Sequence, residues 1–137
     1  MSQARMQLAK LISCNLKRTV LTQAQMQKAE MPKVNLKMAN MSQAKVQMTN
    51  LQDANMKDAI LVQASMEGSN LARANLENAK LNQAQMQFTN MRTVNLSDAV
   101  INIANMNGAD LDYANIHNAQ ILWIDKLGTS VAFVDFT

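Results

Sequence analysis

Asp58 and Asp98 are the groups in this chain whose type and spacing come nearest to a catalytic pair. Two carboxylates on either side of a sugar bond can hydrolyse it, one as acid and one as base, when about 6.5–9.5 Å separates them. The other candidates are few. His117 is the sole histidine and Cys14 the sole cysteine, and neither has a partner at a metal-ligand spacing. There is no glycine-rich phosphate loop and no Cys-x-x-Cys. Lys17, Arg18, Lys37 and Lys57 could meet phosphates. No aromatic residue interleaves with them, so base stacking is unsupported and nucleic acid is not expected as a partner. What any of these residues can do depends on the backbone that positions them.

That backbone is written as a repeat. From Met1 to Ile121 every fifth residue is large and aliphatic, twenty-five in a row without an insertion. Two residues before each lies a small one: seventeen Ala, with Cys14, Thr19, Val34, Thr49, Ser69, Thr89 and Val94 completing the set. A helix turning about 100° per residue would rotate a five-residue step by roughly 140°, so no single face collects it. A strand with period two would throw successive large residues to opposite faces. The pattern survives only where the chain turns a corner every five residues and returns the same phase to the inside. Four such corners close a square coil of twenty residues. Stacked coils then pair like parallel strands, about 4.8 Å apart.

The twenty-residue period appears independently in the outward residues. Asn15, Asn35, Asn55, Asn75, Asn95 and Asn115 form one column. Gln3, Gln23, Gln43, Gln63 and Gln83 form a second, ended by Ile103, and Lys17, Lys37 and Lys57 form a third. Identical side chains stacked in register make ladders. The Asn column is expected to bond backbone at the corners, where Asn tolerates turn geometry.

The blocks "ANLENAKLNQA", "ARANL", "MNGADLDYANI" and "LSDAV" resemble the pentapeptide-repeat family, whose consensus is Ala-(Asp/Asn)-Leu-x-x. The resemblance covers about residues 1–121 and implies an all-β fold, a right-handed quadrilateral parallel β-helix of about six coils with the small and large residues inside. The chain departs from the consensus in two ways. Asn or Asp is kept in twelve of twenty-four units, and Met takes ten of the inward large positions. Met fills irregular space well, so the core is expected to tolerate it.

Composition bounds the rest. At 137 residues the chain is one domain by length. It shows no signal peptide and no long apolar run, so no membrane is expected. A single cysteine excludes an internal disulfide framework and fits a reducing, cytoplasmic setting. Cys14 itself falls at an inward small position and is expected to be a buried packing residue. Residues 1–60 carry nine Lys/Arg against three Asp/Glu, whereas residues 61–137 carry four against seven, a charge gradient along the stack.

After Ile121 the period fails, so residues 122–137 are expected to form a C-terminal hydrophobic cap. Trp123, Leu127, Val131, Phe133 and Phe136 would cover the last coil and, as in several relatives of the resembled family, pair two copies as a homodimer. Met1 is already in register, so either the polypeptide extends further or another chain covers the first coil.

Sorted by coil position, the side that shows Val20, Ile60, Val62, Val100 and Ile103 beside the Gln column is nearly uncharged and is the candidate partner face. Asp58 and Asp98 share a column two coils apart, roughly 9.6 Å. Asn78 stands between them on a flat face, which speaks against catalysis. An ice-binding Thr ladder also fails, because Thr22 and Ser42 are followed by Val62 and Asn82. The expected function is a non-catalytic rigid rod that presents flat faces to a protein partner, with no cofactor. The alternative implied by the resemblance is a DNA-mimicking protector of topoisomerases, which needs an acidic surface.

Overall fold

Every fifth residue of the chain pairs with the residue twenty further on. In the computed structural model, which describes residues 2–122 and 127–129, Arg5 bridges Gln25, Gln25 bridges Lys45, and the parallel bridges continue to Asn95 and Asn115. Where three residues pair in succession the bridges become short strands. Val100–Asn102 (β1) lies parallel to Gln120–Leu122 (β2), with Val100 opposite Gln120. The offset of twenty holds on all four sides, so each coil is a closed quadrilateral laid on the next.

Each corner is a four-residue turn. The N–H of the small residue donates to the carbonyl of the large residue three before it, as from Ala79 to Leu76 at 3.0 Å. The third residue of the turn has positive φ, and twenty-two non-glycine residues take it at φ of 55–61°. Asn and Gly usually fill this region, and a β-branched residue there is a genuine outlier. Here Thr93, Phe88 and Ile103 all adopt it. The stack imposes it: the N–H of Phe88 donates to the Asn107 carbonyl at 2.9 Å, and that of Ile103 to the Leu122 carbonyl at 2.9 Å. Each strained turn is thus fixed by hydrogen bonds to the following coil. Glycine would clear the strain, yet Gly68 and Gly108 are the only glycines among the corners of residues 2–122.

Inside the quadrilateral there is room for one large and one small side chain per side, and little else. Leu21, Met26, Leu36, Met56, Leu76 and Met86 are fully buried, with Ala24, Ala59, Ala79 and Ala84 between them. The hydroxyl-bearing small residues are buried and satisfied: Ser69 Oγ donates to the Met66 carbonyl at 2.6 Å, and Thr49 Oγ1 to the Met26 carbonyl at 2.8 Å. Methionine fits because it carries no branch at Cβ or Cγ to meet the coils above and below.

Two expectations need adjusting. Cys14 is half-buried, because it lies in the first coil, where one side of the inward layer has no described coil against it; Met6, Leu11 and Leu16 share that position. The stacking also reaches beyond Ile121. Gly108 N–H donates to the Leu127 carbonyl at 2.9 Å, Gly128 has a φ of 69° like the corners before it, and Thr129 Oγ1 donates to the Met106 carbonyl. Leu127 itself is exposed. Trp123, Val131, Phe133 and Phe136 lie outside the described residues.

Candidate interaction faces

The outward side chains divide into those that hold the corners, those that form ladders and those left free to meet something else. Asparagine does the first job. The backbone N–H of Lys17 donates to Asn15 Oδ1, that of Lys37 to Asn35, and that of Glu77 to Asn75 at 2.9 Å. The same bond recurs at Asn40, Asn50, Asn70, Asn90, Asn105, Asp110 and Asn115. Asn55 and Asn95 complete the set. These side chains form short turns with the backbone two residues on, and the work leaves them little capacity for a ligand.

Glutamine does the second job. Gln3 Nε2 donates to Gln23 Oε1 at 3.0 Å, Gln23 to Gln43 at 2.9 Å, Gln43 to Gln63 at 2.9 Å and Gln63 to Gln83 at 2.6 Å. Ile103 ends the ladder because it has no amide.

The candidate partner face lies beside this ladder, and its apolar residues alternate with polar ones. The bridged column reads Val20, Asn40, Ile60, Lys80, Val100, Gln120, so a polar residue separates each apolar one. Val20 and Ile103 are well exposed, whereas Ile60, Val62 and Val100 are half-buried between their neighbours. The five residues share a side of the stack without forming an unbroken apolar strip.

Charge is distributed unevenly. Further along the stack Lys57, Arg73 and Arg92 are matched by carboxylates one coil away, whereas Lys80 makes no ion pair among the described residues. Arg73 donates to both oxygens of Asp53, at 2.7 and 3.0 Å. Lys57 reaches Glu77, and Arg92 reaches Asp112 at 2.8 Å and Asp110 at 3.2 Å while lying over the Tyr113 ring. The Arg73 hydrogen bonds hold the Asp53 carboxyl below its usual range, and the Glu77 hydrogen bond raises the Lys57 ammonium. The first coils differ. Arg5, Lys10, Lys17, Arg18, Lys28, Lys33, Lys37 and Lys45 make no ion pair among the described residues, and Glu30 is the only acid before Asp53.

A groove of about 440 Å³ lies within this basic region, lined by Gln3, Arg5, Gln23, Gln25, Gln43 and Lys45. Sequence reasoning missed it. The signal was available, since Arg5, Gln25 and Lys45 recur at twenty and flank the glutamine column. The catalytic candidates are dispersed. Asn78 Nδ2 donates to Asp58 Oδ1 at 2.9 Å, Asp98 is exposed, and the exposed His117 uses its backbone at the Asn115 corner. Among the described residues no three His, Cys, Asp or Glu side chains gather as a metal site, and no helix is long and apolar enough to cross a membrane.

The pattern that defines pentapeptide repeats matches the chain in eight copies, over residues 4–43, 21–58, 35–71, 59–98 and 89–121. No curated protein sequence matches it. Among solved structures, the pentapeptide-repeat protein Rfr23 from the cyanobacterium Cyanothece 51142 is similar with a TM-score of 0.73 and 22% identity, over 89% of this chain and 90% of that one. QnrB1, a plasmid-mediated fluoroquinolone resistance protein, in a trypsin-treated form, is similar with a TM-score of 0.57 and 13% identity, over 100% and 86%. At these identities the likeness is one of fold.

Proposed function

Because the chain belongs to the pentapeptide-repeat family of right-handed quadrilateral β-helices, we propose that it is a non-catalytic rod whose flat sides bind a protein partner as a scaffold or effector. The observation that carries this reading is the division of labour among outward residues. Asparagines are spent on corners and glutamines on a ladder, while exposed Leu8, Ile12, Met38 and Met48 and the cations of the first coils have no internal task. The half-buried free Cys14 supports a reducing, cytoplasmic setting. The alternative, imitation of DNA before a type II topoisomerase, asks for an acidic surface, and eight cations without an ion pair among the described residues argue for the other reading. A supercoiling assay with the purified protein and a type II topoisomerase is expected to show no protection from a quinolone. Dose-dependent protection would reverse the order of the two readings.

Self-association belongs to the same proposal. The segment 122–137 carries Trp123, Leu127, Val131, Phe133 and Phe136, of which Trp and Phe are residue types that anchor interfaces. Pairing two such ends would give a twofold dimer with the basic ends outermost. Sedimentation velocity at high micromolar concentration is expected to show an elongated dimer, and a monomer there would end the idea.

A further inference from the structure

The cations of the first coils are distributed over three sides of the stack. Arg5, Lys28 and Lys45 stand on the side of the groove, Lys10 and Lys33 on the next, and Lys17, Arg18 and Lys37 on the third, while the side of Val20 and Val62 carries none of them. Seven of the eight are exposed, and Lys37 is half-exposed. This follows from the coil positions, since residues five apart in sequence face neighbouring sides. Three of the later cations, Lys57, Arg73 and Arg92, are tied to carboxylates across one coil, so the fold can supply such partners and the first coils lack them. Exposed apolar residues are interspersed with these cations: Leu8 at 69%, Ile12 at 58%, Val20 at 50%, Met38 at 42% and Met48 at 63%.

We propose that the first coils, residues 5–48, bind a flexible acidic polypeptide segment carrying apolar side chains, which wraps from the Arg5–Lys45 groove across the side of Lys10 and Lys33 to that of Lys17 and Lys37. The inference rests on the rod reading above and names the chemistry of its partner. A rigid duplex or a membrane surface meets one side of a four-sided rod at a time and would leave the cations of the remaining sides unused. A flexible chain can follow a corner and order itself on binding. Single-stranded nucleic acid is also flexible, but it relies on aromatic platforms for its bases. None of the outward residues of the first coils is aromatic; Phe88 is the first aromatic in the chain. The exposed Leu, Ile, Val and Met side chains suit aliphatic and aromatic residues set between glutamates and aspartates. In the groove, the Arg5 guanidinium offers a carboxylate two parallel N–H donors and Lys45 offers a compact charge two coils away.

The test compares three fluorescent probes of matched charge: a peptide of about sixteen residues mixing Glu with Leu and Phe, a single-stranded oligothymidylate, and vesicles of phosphatidylserine in phosphatidylcholine. The peptide is expected to bind most tightly and to weaken by about tenfold between low and physiological salt. Joint replacement Lys17→Glu, Lys37→Glu and Lys45→Glu should reduce its affinity by about a hundredfold, whereas Lys80→Glu changes it less than about twofold. Met38→Ser with Met48→Ser should cost about fivefold, because desolvated apolar contacts add to the charge. A circular-dichroism melt confirms that each variant folds; single Lys17→Gln and Lys45→Gln proteins serve if the triple variant does not. Tighter binding of the oligonucleotide or the vesicles, no peptide binding at low salt, or an unchanged affinity in the Lys-to-Glu protein would overturn the proposal. If the triple variant still captures a protein partner from extract as well as the native chain does, the rod reading stands and this inference falls.

Discussion

Leu76→Ala is expected to lower the unfolding free energy by about 2–5 kcal/mol. Leu76 is fully buried in the large-residue column between Met56 and Leu96, and its N–H donates to the Asn95 carbonyl at 2.7 Å. Because that bond and its counterparts hold the coils at fixed spacing, the stack cannot close around a missing isopropyl group. The cavity term should therefore be large within the usual range. Ser97→Ala, at an outward position of the same side, should cost less than about 0.5 kcal/mol. Asn78→Ala should fall between them at about 1 kcal/mol, since alanine tolerates a φ of 56° less well than asparagine and the amide hydrogen bond to Asp58 is lost. Urea unfolding monitored by circular dichroism reads all three. An outward substitution as damaging as Leu76→Ala would mean that the assignment of inside and outside is wrong.

Ala79→Asp is expected to be as severe, at about 4 kcal/mol at neutral pH, by a different route. Ala79 is fully buried in the small-residue column with Ala59 and Ala99, and no cation among the described residues is buried there. A carboxylate there loses its water and gains no partner, so its pKa in the folded state rises above the value in the unfolded chain. The destabilisation is then fully expressed above the folded pKa and shrinks as pH falls through it, because the neutral acid is cheaper to bury. Unfolding at pH 7 and again at pH 4 should show the deficit relative to the native chain narrowing in acid. Ala79→Ser isolates volume from charge. A hydroxyl at this position can donate to the carbonyl three residues back, as Ser69 does to Met66, so its cost should stay within about 1 kcal/mol. An equal loss from serine and aspartate would refer the effect to packing alone.

The architecture was legible because its cause is a strict sequence rule. Leu71, Leu76 and Leu81 at steps of five, with Ala74, Ala79 and Ala84 between them, admit a corner every five residues and little else. The corners were harder to see. Gln23, Lys28, Phe88 and Ile103 occupy left-handed positions that turn statistics assign to Gly and Asn, and they tolerate them because bonds to the next coil impose the conformation. That is a tertiary constraint, and no local window contains it. The Asn15 to Asn115 column was read correctly as corner-holding, since a short amide two residues before a backbone N–H is a local device. The spacing of Val20, Ile60 and Val100 at two coils was legible too, and the stacked column sets Asn40 and Lys80 between them. Pairing of Arg73 with Asp53 was legible only after the offset of twenty was known, and the groove beside Arg5 and Lys45 needed side-chain positions.

The quadrilateral has four sides equivalent in backbone and in inward phase, and this gives the gene an unusual freedom. Each five-residue unit ends where the next begins, with the large and small inward residues in the same phase on every side. Loss or duplication of one unit would keep every inward residue inward and every stacking bond available. It would also turn all residues downstream by a quarter of a revolution relative to those upstream. The glutamine ladder would then break at the junction, and the cations of one side would be followed by the outward residues of its neighbour. Gain or loss of four units would restore the alignment and change only the length. In a protein of this build, recombination in steps of five can redesign the surface while leaving the interior untouched, so lineages should diverge in face pattern long before they diverge in fold.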